Sequence, residues 1–476
     1  MIRHLMPLVA ATALAGCSMA PVYDRPAAPV PPTWPAGDAY LRTTDATLPA
    51  VTYHDVFRDP RLQRLIGTAL ANNRDLRAAA ANIAIARAQY RIQRADRLPT
   101  VAASADASVR DSGAGAAADS YQLGVGVTAF EIDLFGRVAS LSRAALDEYF
   151  ATEAAARATR LALVGDIADA WLAHAADASL LRIAEDTVKS TGESVRLTRL
   201  RLEGGIAPRT DLRQAELVQA QARADLAQQR TALAQDANLL RLLVGTEIDA
   251  ELLPTSIETA AATLAELPAG LDSGILLRRP DVVEAEYDLR AANARIGAAR
   301  AALFPRISLT GALGLASGAL GALFSGDAFN WTAGAGADYD LFAGGARRAG
   351  VDQARARFDL ARASYERAIQ VAFREVADGL ARRGTIAEQE RAQTDLVAAA
   401  RDNRDLATQR YRGGIDSFLQ SLDAQRSFYA AQRSLVTTQR VRAQNLVTLY
   451  RVLGGDARLD ATVGGPVPLT PEPTAP

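Results

Sequence analysis

Cysteine and histidine are almost absent from this chain of 476 residues, and that limits its chemistry. Cys17 is the only cysteine, which excludes an intrachain disulfide and a thiolate metal cluster. Three histidines (His4, His54 and His174) leave little acid–base or metal chemistry near neutral pH. We find no converging set of nucleophile, base and metal ligands, so we expect no metal, no cofactor and no enzymatic activity.

A surplus of one charge is also missing. The chain has 53 basic and 54 acidic residues, which give a net charge of −1. A nucleic-acid-binding domain needs a strongly basic surface, so we expect no nucleic-acid partner.

Long hydrophobic runs are missing too, since no stretch of 18 consecutive apolar residues occurs. The short apolar stretch 5–15 follows a positively charged start and predicts a signal peptide over residues 1–16. Its end, Leu14-Ala15-Gly16-Cys17, resembles the bacterial lipobox. That resemblance implies lipidation of Cys17 as the first mature residue and, because Ser18 follows and not Asp, delivery to the outer membrane. An ordinary signal peptide with a chance cysteine is the alternative.

Proline is confined largely to the two ends of the chain, with none from residue 100 to 207 or from 306 to 465. We predict an extended surface segment over 17–60 and a flexible tail over 461–476. Because proline disrupts a helix interior by about 3 kcal/mol, the gaps between these ends permit very long helices.

The predicted helices fall into long and short classes. Each long helix is about 100 Å at ~1.5 Å per residue, and two short helices stacked end to end nearly match one long helix. This arrangement predicts the wall unit of a helical tube. The long helices are predicted over 138–203 and 346–412, the return helices over 211–244 and 417–453, and the opening short helices over 74–97 and 281–303.

The sequence contains an internal duplication. Asp133-Leu134-Phe135 returns 207 residues later as Asp340-Leu341-Phe342, and Gly204-Gly205-Ile206 returns 209 residues later as Gly413-Gly414-Ile415. We therefore predict two structural repeats, over 61–255 and 256–460.

Each repeat also contains two short segments with alternating apolar and small polar residues, which predict strands. A soluble, half-buried sheet is one interpretation. The strand lengths, the small polar opposite face and the aromatic residues near the strand ends favour a transmembrane β-barrel. Four strands cannot close and open edges are not tolerated in lipid, so three copies with 12 strands are expected. The strands are predicted at about 101–109, 121–132, 306–315 and 331–341.

The order and duplication of several motifs resemble the TolC/OprM-type outer-membrane efflux proteins, in the lipoprotein branch that works with resistance-nodulation-division pumps. The resemblance implies a mainly α fold in which a trimeric β-barrel, four strands per chain, continues into a long periplasmic α-helical barrel. It also implies docking to a periplasmic adaptor and an inner-membrane pump. The motifs are Leu277-Arg278-Arg279-Pro280-Asp281-Val282, Leu303-Phe304-Pro305, Asp133-Leu134-Phe135-Gly136-Arg137 and Asp340-Leu341-Phe342-Ala343-Gly344-Gly345.

The two turns after the long helices are the candidate functional tips. Glycine favours the left-handed geometry that ends a helix, and Ser417 with Gln420 has the spacing of a capping box that would restart one. With the strands in the outer membrane, these tips lie at the periplasmic end, where the resemblance places adaptor docking and the channel constriction. The docking candidates are Gly204, Gly205, Ile206, Pro208, Asp211, Gly413, Gly414, Ile415 and Ser417.

Five residues near the tips are candidates for a closed-state gate. Carboxylates converging from three chains would repel one another and attract cations, and arginine–aspartate pairs could hold the aperture shut. The candidates are Asp416, Asp423, Arg201, Arg410 and Tyr411.

The function expected from the sequence is a passive exit duct in the outer membrane of a Gram-negative bacterium. It would carry drugs or other small toxic compounds that an inner-membrane pump delivers through the adaptor. The same conduit could instead serve metal-ion efflux or type I protein secretion. A structural periplasmic coiled-coil protein is the alternative from a different class, and it leaves the four strands unexplained.

Overall fold

The computed structural model describes residues 18–35, 37, 39–40, 52–111, 118–266 and 273–469. The predicted signal peptide, Cys17 and the tail from residue 470 onward lie outside them. Within these ranges, no helix is both long enough and apolar enough to cross a membrane.

Helices make up most of the described chain. They are α1 (Tyr53–Val56), α2 (Pro60–Asn72), α3 (Arg74–Ala95), α4 (Arg137–Glu203), α5 (Arg209–Val244), α6 (Ile257–Ala261), α7 (Pro280–Ala301), α8 (Ala346–Arg412) and α9 (Phe418–Val452). The strands are β1 (Val101–Arg110), β2 (Ala118–Glu131), β3 (Arg306–Ser317), β4 (Phe329–Asp338), β5 (Leu459–Thr462) and β6 (Gly465–Pro468).

Two helices of 67 residues, α4 and α8, form the frame of the molecule. Each begins after a glycine in the left-handed conformation, Gly136 (φ 73°) or Gly345 (φ 86°), which lets the chain turn from strand into helix. Helix α4 contacts α3, α5, α7 and α9, and α8 contacts α7 and α9. The main hydrophobic core lies among these helices and includes the fully buried Trp171 and Tyr365.

The short helices meet end to end beside the long ones. Asn73, just before α3, donates from its side-chain amide to the Leu243 carbonyl near the end of α5, at 2.8 Å. Arg279, just before α7, donates to the Val452 carbonyl at the end of α9, at 3.0 Å. The predicted stacking of a short pair against one long helix is therefore present in both halves.

The larger sheet has the strand order β1–β2–β3–β4, and every neighbouring pair is antiparallel. The β2–β3 pair joins the two halves, with Val125 opposite Leu313. Strands β1 and β4 form its edges. The predicted fold class, mainly α with a separate four-stranded β part, is confirmed for the single chain.

The N-terminal residues 18–35 form an extended strap along α7. Ala20 lies so close to Gly297 that a Cβ there would be 2.7 Å from the Ala20 backbone nitrogen. Arg25 forms a 2.9 Å ion pair with the buried Glu286, and the Trp34 ring stacks on Phe373 of α8 at 4.9 Å. The side chain of Glu286 is 1% exposed, so this pairing offsets the cost of burying its charge.

The predicted surface segment 17–60 is wrong at its C-terminal end. Residues 53–56 form α1, and Tyr53, Val56 and Phe57 are buried in the main core. Burying these apolar side chains in the core is more favourable in free energy than leaving them exposed to solvent.

The predicted flexible tail 461–476 is wrong for its described residues. Strands β5 and β6 pair as a hairpin, and Leu459 packs with Phe150 in a second hydrophobic cluster. Proline is tolerated in this two-stranded ribbon because an edge strand can leave one side unpaired.

The predicted boundaries shift at several elements. The strand predicted over 121–132 runs from Ala118 to Glu131, and the one predicted over 331–341 runs from Phe329 to Asp338. The return helix predicted from residue 211 begins at Arg209, because Pro208 supplies its N-cap with extended backbone.

Candidate functional site at the helix tips

The two tips lie one long helix, or about 100 Å, away from the sheet. At the first, Gly205 has a φ of 71°, and the Ile206 N–H bonds back to the Arg201 carbonyl at 2.9 Å. At the second, Gly414 has a φ of 74°, and the Ile415 N–H bonds to the Arg410 carbonyl at 2.9 Å. Both turns therefore close like a Schellman motif and leave their isoleucines exposed.

The return helices restart without a side-chain cap. Pro208 and Ser417 are the N-cap residues, and neither side chain bonds to the first turn of the helix. The capping box predicted from Ser417 and Gln420 is therefore wrong. Asp211 lies in the first turn of α5, where its charge favours the positive end of the helix dipole.

A small hydrophobic cluster binds the two tip hairpins to each other. Tyr411 on α8 packs against Phe418 on α9, with ring centroids 5.3 Å apart, and both join Val195 on α4 and Leu212 on α5. Sequence reasoning missed Phe418 and Val195 as tip residues. Val195 is one of the apolar residues that recur every three or four positions along the long helix α4, a pattern that signals packing but not this site.

Arg201 crosses from α4 to the end of α8. Its guanidinium donates to the Tyr411 carbonyl at 3.0 Å and to the Arg412 carbonyl at 3.3 Å, and it lies 4.6 Å from the Tyr411 ring centroid. The last carbonyls of a helix carry its negative dipole end, so a cation is favoured there. Arg201 therefore joins the two coiled hairpins of one chain.

Arg410 has a different role, because it binds Asp416 within its own tip. The two side chains form a bidentate pair with distances of 2.6 and 2.9 Å. Hydrogen bonds from Arg410 lower the pKa of Asp416 below its ordinary value, so this pair stays ionised well into the acidic range.

Four of the five gate candidates make contacts in the structure, as two separate pairs. Arg201 contacts Tyr411, and Arg410 contacts Asp416. Asp423 is exposed on α9, and within the described chain it makes no hydrogen bond or ion pair. The Tyr411 hydroxyl is buried without a partner, so its backbone and ring make the contacts to Arg201. Across the described residues, no group of three or more acidic, histidine or cysteine side chains is placed to hold a metal ion.

The chain matches known outer-membrane proteins along most of its length. Residues 65–246 and 272–455 match the family model described as outer membrane efflux protein. The antibiotic efflux pump outer membrane protein ArpC of Pseudomonas putida is 45% identical over 465 residues, which cover 96% of each chain. The toluene efflux pump outer membrane protein TtgC of Pseudomonas putida matches with the same identity and coverage.

A solved structure has the same fold. The crystal structure of the open state of the Neisseria gonorrhoeae MtrE outer membrane channel matches with a TM-score of 0.83 and 35% identity. The match covers 94% of this chain and 100% of that one.

Proposed function

The chain belongs to the outer membrane efflux protein family, and we propose that three copies of it form one passive exit duct. Four strands from each copy would make a 12-stranded barrel in the outer membrane. The long helices would continue that barrel as a tube into the periplasm, with the tips at its far end.

The observation that carries this proposal is the pair of open sheet edges. Strands β1 and β4 each have a single partner in the described chain, and every residue of both strands is exposed in one copy. Unpaired backbone groups at a lipid-facing edge each cost several kcal/mol, so the edges need strands from other copies. A ring of copies supplies them without leaving an edge.

The proposed partners are a periplasmic adaptor and an inner-membrane pump of the resistance-nodulation-division type. The cargo would be small toxic organic compounds, since two relatives are named for antibiotic and toluene efflux. The duct itself performs no reaction, and the adaptor would contact the exposed tip residues Ile206 and Ile415. Exposed apolar residues rimmed by polar ones are typical of a docking surface.

Lipidation of Cys17 is part of the same proposal. The strap holds Met19 and Ala20 against the end of α7, which leads directly into β3. An acyl chain on Cys17 would therefore enter the membrane beside the barrel.

The tip contacts would hold the resting duct narrow. Arg201 binds the two hairpins of one copy to each other, and Arg410 forms an ion pair with Asp416 at the tip of the second hairpin. Opening would require these contacts to give way when the adaptor engages the tips.

Two measurements on the full-length protein test this function. Purified protein is expected to have the mass of three chains and to conduct ions in planar bilayers. A strain lacking the gene is expected to become sensitive to organic solvents and antibiotics, and the wild-type chain is expected to restore tolerance. A monomeric, electrically silent protein would overturn the proposal.

A further inference from the structure

We propose that a recess where α9 ends and α7 begins binds small organic ammonium compounds as they pass through the duct. The inference rests on the proposed function and names a chemical class of cargo, because it takes the recess to open into the duct. All residues that line the recess belong to one chain, so ligand binding there can be measured whether or not three copies assemble.

Four helices surround the recess. The long helices α4 and α8 form its sides, and the end of α9 and the start of α7 lie between them. The recess has a volume of about 570 Å³, within the range of ~300–1,000 Å³ that is typical of small-molecule sites. Ala158, Leu161 and Ala162 of α4 give it an apolar side, and charged and polar side chains from the other helices line the rest. The recess therefore suits a compound with an apolar body and a polar end.

The recess opens on the face of the helices that points away from the main core. On α4, Trp171 is fully buried in that core, and Ala162 lies nine residues before it, about two and a half turns, on the opposite side. On α9, Tyr450 packs against Phe57 at 5.3 Å, and Thr448 lies two residues before it, about 200° around the helix. Helices α1 and α2 pack on the core face, where they would block the duct if that face were the inner one. In the proposed tube the recess therefore faces the duct.

Asn445 supplies the recess with an unused hydrogen-bond acceptor. The residue is only 7% exposed, and its side-chain amide nitrogen donates to the Gly379 carbonyl on α8 at 3.0 Å. Within the described chain, the side-chain oxygen of Asn445 accepts no hydrogen bond. A buried polar oxygen without a partner is unfavourable, so an N–H group of a ligand in the recess would satisfy it.

Asp378 supplies negative charge beside that acceptor. It directly precedes Gly379 on α8, lines the recess and is exposed. Among the described residues, Asp378 makes no hydrogen bond or ion pair. An ammonium group donates charge-assisted hydrogen bonds, which are stronger than neutral ones, so Asp378 and Asn445 together favour a cationic donor.

The arginines that line the recess are already bound to carboxylates. Arg279 binds Asp281 at 2.7 Å and Glu375 at 2.9 Å, so one guanidinium faces two negative charges. Arg451 binds Asp166 of α4 at 2.9 Å. Carboxylates therefore outnumber arginines around the recess, and its charge attracts cations and repels anions.

Ligand-observed NMR titrations of the full-length protein in lipid nanodiscs test the recess. The probes are benzylammonium and benzyl alcohol, which has a similar shape but no charge, and empty nanodiscs give the background from the lipid. The wild-type protein is expected to bind benzylammonium more tightly than benzyl alcohol. Equal binding of the two probes would overturn the selectivity for cations, and no binding of either would overturn the site.

Two variants locate the binding, and a third is their control. Asp378→Asn keeps the shape of the recess, and we expect it to weaken benzylammonium binding about fivefold without affecting benzyl alcohol. Ala162→Phe fills the apolar side of the recess and is expected to weaken the binding of both probes. The matched control Asp402→Asn removes an exposed carboxylate about 36 Å along the same helix and should leave both affinities unchanged.

The remaining outcomes separate the recess from the proposed function. Unchanged benzylammonium binding in Asp378→Asn, or an equal loss in Asp402→Asn, would overturn the site, because a general attraction of cations would then explain the binding. Mass and conductance are measured on the same preparation. A conducting trimer without selective benzylammonium binding would overturn the recess alone. A silent monomer that still binds benzylammonium through Asp378 would overturn the duct and leave the binding site standing.

Discussion

The two halves of the chain hold the same junction between their short helices with different side chains. Where the short helices meet in the first half, Asn73 donates one hydrogen bond to Leu243 and accepts two from the first turn of α3. In the second half, the corresponding residue is Arg279, which binds Val452, Asp281 and Glu375 with a side chain only 9% exposed. The same geometry is therefore held by a neutral cap in one half and by a buried charge network in the other.

The tips differ in a similar way. Arg201 and Arg410 correspond at an offset of 209 residues, but Asp416 corresponds to Ala207. Arg410 is therefore bound within its own turn, while Arg201 has no carboxylate there and reaches across to α8. Duplication preserved the backbone, and the divergence of a few charged positions made the two halves unequal.

We expect the largest difference between the two halves in how much their helix junctions contribute to the free energy of unfolding. Arg279→Ala removes a buried charge from two carboxylates, and we expect it to lower the free energy of unfolding by about 3 kcal/mol. Asn73→Ala removes a cap, and we expect a loss of about 1 kcal/mol. Denaturant titration of the detergent-solubilised protein measures both values, and equal losses would contradict the contrast between the halves.

The second expected effect is on channel conductance, when the contacts at the two tips are removed. Arg201→Ala removes the polar contact between the two hairpins of one copy and leaves only their apolar cluster, so we expect a several-fold rise in single-channel conductance in planar bilayers. Arg410→Ala breaks only an exposed pair within one turn, so a smaller rise is expected. A larger rise for Arg410→Ala would show that the narrow state depends on the second tip and not on the contact between hairpins.

The third effect is on the pH dependence of stability. Burial, together with the neighbouring Asp177, raises the pKa of Asp236 on α5 to about 7. The folded chain then binds more protons than the unfolded chain between about pH 4 and 7, so stability falls as the pH rises through this range. The corresponding residue on α9 is Asn445, which donates to the Gly379 carbonyl at 3.0 Å.

Replacing Asp236 by asparagine makes the first half resemble the second at this point. We expect Asp236→Asn to raise the free energy of unfolding at pH 7.5 by about 1 kcal/mol, a value reduced for solvent screening because Asp236 is half-buried. Thermal melts at pH 5 and pH 7.5 check this, and the gain should be markedly smaller at pH 5 than at pH 7.5. A gain that is equal at both pH values would rule out proton linkage as its cause.

The smallest effect is expected at Asp423. This carboxylate is exposed and, among the described residues, makes no hydrogen bond or ion pair, so Asp423→Ala should leave the conductance of the duct unchanged. Asp416→Ala is the matched comparison, because it removes a paired carboxylate from the same tip. A change in cation selectivity with Asp423→Ala alone would place that residue at the constriction.

Sequence periodicity predicted the long helices and the four strands well, since both follow from local pattern and from proline spacing. The tip turns could be predicted because a pair of glycines marks each of them. The buried network around Arg279 and Glu375 could not be predicted from the sequence, because Arg279 lies just before α7, Glu375 lies on α8, and the two are 96 residues apart. The strap was missed because the role of Gly297 appears only when Ala20 lies against it. Such contacts depend on tertiary packing, which periodicity does not encode.

The strap has a consequence for any lipid attached at Cys17. Met19 is held by a hydrogen bond from Arg300 at 3.3 Å, so Ser18 alone separates Cys17 from backbone that is fixed to α7. Since one residue spans about 3.5 Å, a lipid attached at Cys17 would begin within a few ångströms of this fixed backbone. A lipid attached there would set the height of the protein in the leaflet, and a few flexible residues inserted before Met19 would loosen that height at the cost of one contact, the hydrogen bond from the Ala20 N–H to the Ser18 hydroxyl.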